Sequence, residues 1–153
     1  MTELDITNIA IRQMGASWLC IPQCKTEPRG YENFMERTGI RGRMDLWCMN
    51  NVVDNPTFIA YEIKTSRADF LSDMHTGKWQ KYLDYCNEFY FLVSSLDIPE
   101  HVTLPPTVGL KSVSMSGKSI TTIQKATRRE IDFPTTVMHY ILLKRTKIID
   151  THK

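Results

Sequence analysis

Ala60-Tyr61-Glu62-Ile63-Lys64-Thr65-Ser66-Arg67-Ala68-Asp69-Phe70 reads as a strand that ends in Glu-x-Lys and passes directly into a helix. Upstream of it, Arg41-Gly42-Arg43-Met44-Asp45-Leu46-Trp47 carries an acidic residue inside an otherwise strand-like run. Alternation places Phe58, Ala60, Glu62 and Lys64 on one face of the first strand and Ile59, Tyr61 and Ile63 on the other. A carboxylate and an amine therefore neighbour one another on a mostly apolar strand. Unpaired charge near a core is costly, so two inward positions spent on Glu and Lys mark a place where the chain uses them.

The surrounding chain is that of one globular domain spanning 1–153. Its 153 residues are 42% hydrophobic and 24% charged, enough to bury a sizeable core. No apolar run approaches the length of a membrane span, and the start, with Glu3 and Asp5, lacks the basic head of a signal peptide, so a cytoplasmic, membrane-free protein is expected. The net charge of +2 is unevenly spread. Residues 111–153 hold nine Lys and Arg against three Asp and Glu, while residues 1–110 hold ten against fourteen. A basic final third suits a phosphate backbone and an acidic remainder suits a metal, with solvated surface charge as the plain alternative. Cys20 and Cys24 have a spacing that zinc can use, but Cys48 and Cys86 form no second close pair, so reduced thiols are the expectation.

Thr2 with Asp5 resembles a capping box, and Ile6, Ile9, Ala10 and Met14 recur at helical spacing, predicting a first helix over about residues 3–17 that frays at Gly15. From Cys20 to Arg43 five Pro and Gly residues predict a long loop, or a loop with one short helix near Tyr31 to Glu36. Met44, Leu46 and Cys48 predict a strand, antiparallel to a second strand over Thr57 to Lys64. Ser66 with Asp69 caps a helix starting within two residues of Lys64, and His75-Thr76-Gly77 interrupts it. Trp79, Tyr82, Leu83 and Cys86 form one helical face. Phe89 to Val93 reads as a buried strand, Val108 to Val113 and Ser119 to Ile123 as two shorter ones, and Pro134 starts a last helix. The order of elements is α/β, a central mixed β-sheet flanked by helices.

Asp45 and Glu62 lie on consecutive paired strands, which can set them side by side. Converging carboxylates repel unless a cation sits between them, and Mg²⁺, held by one or two carboxylates, suits the arrangement, with the Ile63 carbonyl as a further oxygen. Lys64, on the same face, would then lie near the scissile phosphate, where it orients or helps deprotonate the attacking water and offsets transition-state charge. Arg41 and Arg43 flank Asp45 and could grip phosphate, or act as ordinary loop charges. Lys78 and Gln80 lie off the Trp79 to Leu83 stripe and could face the site, or form a solvated helix face.

Asp45 followed by Glu62-x-Lys64 at the end of the next strand resembles the signature of the PD-(D/E)xK nuclease superfamily. Within it, Glu62 to Asp73, then Lys78 to Cys86 and Phe89-Tyr90-Phe91, is similar to the MmcB-like DNA-repair proteins and their phage relatives, over roughly residues 40–115. The resemblance implies a restriction-endonuclease-like core, Asp45 and Glu62 as metal ligands, Lys64 as the catalytic lysine, and Gln80 as a glutamine kept near the site by some members. Met44 stands where the superfamily name has proline. Many members also place an acidic residue on the first helix, for which Glu3, Asp5, Glu32 and Glu36 are the candidates.

The expected function is metal-dependent hydrolysis of phosphodiester bonds in DNA, with Mg²⁺ or Mn²⁺, in repair, recombination or phage DNA processing. Duplex cutting would favour a homodimer, because one site handles one strand. The alternative is a nucleic-acid-binding protein of the same fold that cuts nothing, or cuts only when a partner activates it.

Overall fold

The computed structural model describes residues 1–26 and 42–145, the last two by main chain alone. The predicted short helix near Tyr31 to Glu36, and with it Glu32, Glu36 and Arg41, lies outside the described residues. Helix α1 (Glu3–Met14) starts at a complete capping box. The Thr2 hydroxyl accepts from the Asp5 N–H at 3.1 Å and the Asp5 carboxylate accepts from the Thr2 N–H at 2.8 Å. Its last residue is Met14, three residues short of 17, and it closes at Gly15, the position expected to mark its end.

Strands β1 (Trp18–Lys25), β2 (Arg43–Asn50), β3 (Phe58–Lys64), β4 (Glu88–Ser94), β5 (Val108–Val113) and β6 (Ile120–Gln124) form one sheet in sequence order. The β3–β4 and β4–β5 pairs are parallel and the other three antiparallel. Strand β1 corrects the expectation of a loop beginning at Cys20. Pro22 does not break it because β1 is the sheet's edge, where a missing N–H leaves no ladder bond unmade.

Helix α2 (Arg67–Thr76) begins where Ser66 caps the Asp69 N–H at 3.1 Å and ends at Gly77, whose left-handed conformation (φ 69°) only glycine adopts freely. The next segment, Lys78–Tyr85, is a 3₁₀ helix, not the α-helix that the i, i+3, i+4 spacing predicted. At three residues per turn Trp79, Tyr82 and Tyr85 fall in one row, and all three are buried. Helix α3 (Thr135–Arg145) follows Pro134 as predicted, and no described helix is long and apolar enough to cross a membrane.

The alternation read from β3 holds. Phe58 and Ala60 pack with Trp47, Phe89, Phe91 and the buried residues of α2, the 3₁₀ helix and α3, whereas Ile59, Tyr61 and Ile63 pack with Ile6, Ile9 and Ala10 of α1. Helices thus cover both faces of the sheet. On the α1 face the Tyr90 ring lies over Gly109 so closely that a Cβ there would run into ring carbons Cδ1 and Cε1. Gly109→Ala is therefore expected to destabilise the fold by about 1–3 kcal/mol through overpacking, with part of the loss absorbed in a Tyr90→Leu background. Urea denaturation of the single and double variants measures both terms.

Candidate functional site

The site forms where β2 and β3 part. Their ladder runs from Met49–Phe58 to Leu46–Tyr61. Continued by two residues, the register would set Ile63 opposite Met44. Instead the Ile63 N–H donates to Asp45 Oδ2 at 2.8 Å, a side chain replacing the main-chain partner. N–H and C=O of one strand residue point to the same side, so the Ile63 carbonyl faces the same gap.

Glu62 is set beside Asp45 closely enough for the two carboxyls to share a hydrogen bond. The Glu62 side chain is 15% exposed, and its Oε2 is buried without a hydrogen-bond partner. Burial is the largest cause pushing both carboxyls up, Asp45 to about 6 and Glu62 to about 8; the Glu3 charge adds to it at Asp45 and the Asp45 charge at Glu62, while the hydrogen bonds from Ile63 N–H and Glu62 favour the Asp45 carboxylate. Lys64 Nζ stands 3.6 Å from Glu62 Oε1 and 2.8 Å from Asp73 Oδ2. Burial works to lower the lysine, but the Asp73 hydrogen bond and the charges of Glu62, Asp73 and Asp45 outweigh it, so Lys64 is held protonated.

Asp73 is the site residue that the sequence reading did not single out. It lies three residues after Phe70, the one buried side chain of α2, and so shares the face that meets the sheet. That spacing was the available signal. Its Oδ1, like Glu62 Oε2, is buried and unpartnered. Among the first-helix candidates, Glu3 reaches the site: its charge raises Asp45, and its Oε1 accepts from Gln23 Nε2 at 2.8 Å. Gln23 stands opposite Asp45 on β1 with φ 51°, a left-handed conformation costly for a non-glycine residue. Asp5 is spent on the helix cap.

A cleft of about 240 Å³ opens beside these groups, lined by Glu62, Lys64, Asp73, Lys78, Lys81 and Tyr82 among others. Lys78 thus faces the site. Gln80 does not line the cleft; its amide lies against Gly77, and Lys81 takes the place expected of it. Lys78 and Lys81, three residues apart, share a row of the 3₁₀ helix, and Gln80 lies off that row. Arg43 is exposed at the start of β2, and its carbonyl accepts from Tyr82 OH at 3.1 Å. Among the described residues no three His, Cys, Asp or Glu side chains cluster as a ready metal shell. The donors on offer are the Asp45 and Glu62 carboxylates and the Ile63 carbonyl, all hard oxygens, and the orphaned Glu62 oxygen fits a cation in the gap. Cys20 and Cys24 do not form a zinc pair: Cys20 packs on the α1 side of the sheet and Cys24 on the other, alternation being broken at Gln23.

No protein-family model matches the chain, and no curated protein matches it. Among solved structures it is similar to SPO1766, a protein of unknown function from Silicibacter pomeroyi, at 20% identity and a TM-score of 0.58, over 88% of this chain and 74% of that one. The likeness is one of fold.

Because the folded-state values of Asp45 and Glu62 stand above those of an unfolded chain, the folded state holds the extra protons. Their contribution to stability is full below about pH 4 and is lost as pH rises through the two raised values. Glu62→Gln, which cannot ionise, is expected to raise the thermal midpoint of the metal-free chain by several degrees at about pH 8 and by little at about pH 5. Scanning fluorimetry in EDTA reads this, and an equal gain at both pH values would contradict it.

Proposed function

We propose that the chain is a metal-dependent nuclease of the PD-(D/E)xK type, with a restriction-endonuclease-like core, hydrolysing phosphodiester bonds in DNA within the cytoplasm. The observation that carries this reading is the meeting of two buried carboxyls, Asp45 and Glu62, which repel when both are ionised, with the Lys64 ammonium 3.6 Å from Glu62. Such a group is unfavourable by itself and becomes favourable once a divalent cation is held by it.

Asp45, Glu62 and the Ile63 carbonyl would hold Mg²⁺ or Mn²⁺. When bound there, the ion supplies Lewis-acid stabilisation of the anionic phosphate and activation of the water nucleophile. The remaining work falls to the chain. The Ile63 N–H holds Asp45 in place, so the carboxylate needs no reorganisation when the ion arrives. Lys64, kept charged by Asp73, places a positive charge where the scissile phosphate gains negative charge, an electrostatic role and not that of a base. Asp73 is a positioning residue that orients the lysine. Lys78 and Lys81, along one wall of the cleft, suit the DNA backbone on either side of the cut, as point charges that position without reading sequence. A homodimer would supply a second site for the opposite strand.

The test is cleavage of labelled duplex, single-stranded, flap and four-way-junction DNA with Mg²⁺, Mn²⁺ or EDTA. Asp45→Asn is expected to abolish both cation binding, read by calorimetry, and cutting. Lys64→Met is expected to keep cation binding while lowering turnover by ~10²–10³-fold. Salt-dependent DNA binding with no cutting in any metal would replace this reading with the non-catalytic or partner-activated one. Lys78→Ala with Lys81→Ala should weaken binding to all the DNAs alike and flatten its salt dependence by about two charges, measured by anisotropy.

A further inference from the structure

Cys20 and Cys48 are direct partners in the β1–β2 register, and their Sγ atoms stand 3.4 Å apart. The Asn51 N–H donates to the Ser17 carbonyl at 3.0 Å, and counting back by two along the register makes Met49–Leu19 and Trp47–Ile21 hydrogen-bonded pairs. Cys20–Cys48 is therefore a non-hydrogen-bonded pair, the kind that brings opposite side chains closest. The two sulfurs are not equivalent. Cys48 is buried and donates its S–H to Cys20, while Cys20 is half-buried and borders an apolar cleft of about 180 Å³ between the β1 edge and α3. That donated hydrogen bond holds the Cys20 thiol below its ordinary value, while the same bond and burial push the Cys48 thiol up, opposed only in part by the nearby Lys111 ammonium.

We infer that Cys20 and Cys48 form a peroxide-responsive thiol pair, in which Cys20 is the attacking sulfur, Cys48 the resolving one, and a reversible disulfide staples the edge strand to β2. The Cys20 thiolate attacks one oxygen of hydrogen peroxide, the O–O bond breaks, hydroxide leaves, and Cys20 becomes a sulfenic acid. Cys48 then attacks the Cys20 sulfur, forming the S–S bond and releasing its own proton and the sulfenic hydroxyl as water. Two thiols lose two electrons and the peroxide gains them, and a dithiol reductant reverses the change. The same two strands carry Gln23 and Asp45 three residues away, so the staple sits beside the candidate site without including any of its groups. The inference does not depend on the nuclease reading.

The test exposes the reduced full chain to a few equivalents of hydrogen peroxide, alkylates the remaining thiols, and maps cross-links by mass spectrometry after non-reducing proteolysis. Because Cys24 shares a tryptic peptide with Cys20, fragmentation spectra assign the sulfur. The expected result is loss of two thiols in an intramolecular Cys20–Cys48 link, reversed by dithiothreitol, absent in Cys20→Ser and retained in Cys86→Ala. Accumulation of Cys20 sulfinic acid without a link, a link to Cys24 or Cys86, or disulfide-linked dimers would overturn it.

Discussion

The Asp45–Ile63 hydrogen bond is the contact on which the candidate site depends. An antiparallel ladder that ran on would satisfy the Ile63 N–H from a main-chain carbonyl and leave no gap between β2 and β3. Because the Asp45 side chain takes that N–H at 2.8 Å, the strands part after Leu46–Tyr61 without orphaning a buried donor. The parting brings Asp45 to Glu62, turns the Ile63 carbonyl into the gap and leaves one Glu62 oxygen without a partner. One bond thus both stabilises the end of the ladder and sets two buried carboxyls side by side.

The elements beyond β3 are docked by the same groups. Helix α2 buries only Phe70, which meets Phe91 edge-on at 5.2 Å, so its hold on the sheet is slight in apolar terms. The Asp73–Lys64 ion pair is its second anchor, shielded from water at 10% and 16% exposure. A buried pair of this kind is weak evidence for stability, since desolvation offsets much of the attraction, and stronger evidence for orientation. Positioning of Lys64 and placement of α2 are accordingly one event. The 3₁₀ helix then sets Trp79 against Phe89 and Phe91 and leaves the Lys78–Lys81 row along the cleft.

The basic final third looks different once folded. Arg129 donates to the carbonyls of Leu83 and Cys86 at 2.7 and 2.8 Å, closing the end of the 3₁₀ helix. Lys111 donates to Tyr61 OH at 3.1 Å and lies 4.4 Å from the Tyr90 ring centroid, a cation held by aromatic faces under the sheet. Both charges serve the fold. Among the described residues, the cations that line the cleft are Lys64, Lys78 and Lys81, in the part of the chain whose net charge is negative.

The sequence by itself determined the elements whose signals are local: the caps at Thr2 and Ser66, the alternation of β3, the buried β4 run, the strands after Pro106 and the helix after Pro134. It also placed Glu62 and Lys64 on one face of β3, because a period of two is a property of the strand alone, and Asp45 on the strand paired with it. What depends on distance in space was beyond it. Pro22 is acceptable only because β1 is an edge, Glu3 matters only because Gln23 brings it to Asp45, and Asp73 matters only because α2 folds back over Lys64. Lys81 faces the cleft with Lys78 only because Trp79, Tyr82 and Tyr85 are buried and leave the Lys78–Lys81 row along it. Local preferences decide which elements form; burial and charge, which sum over the whole molecule, decide which side chains meet.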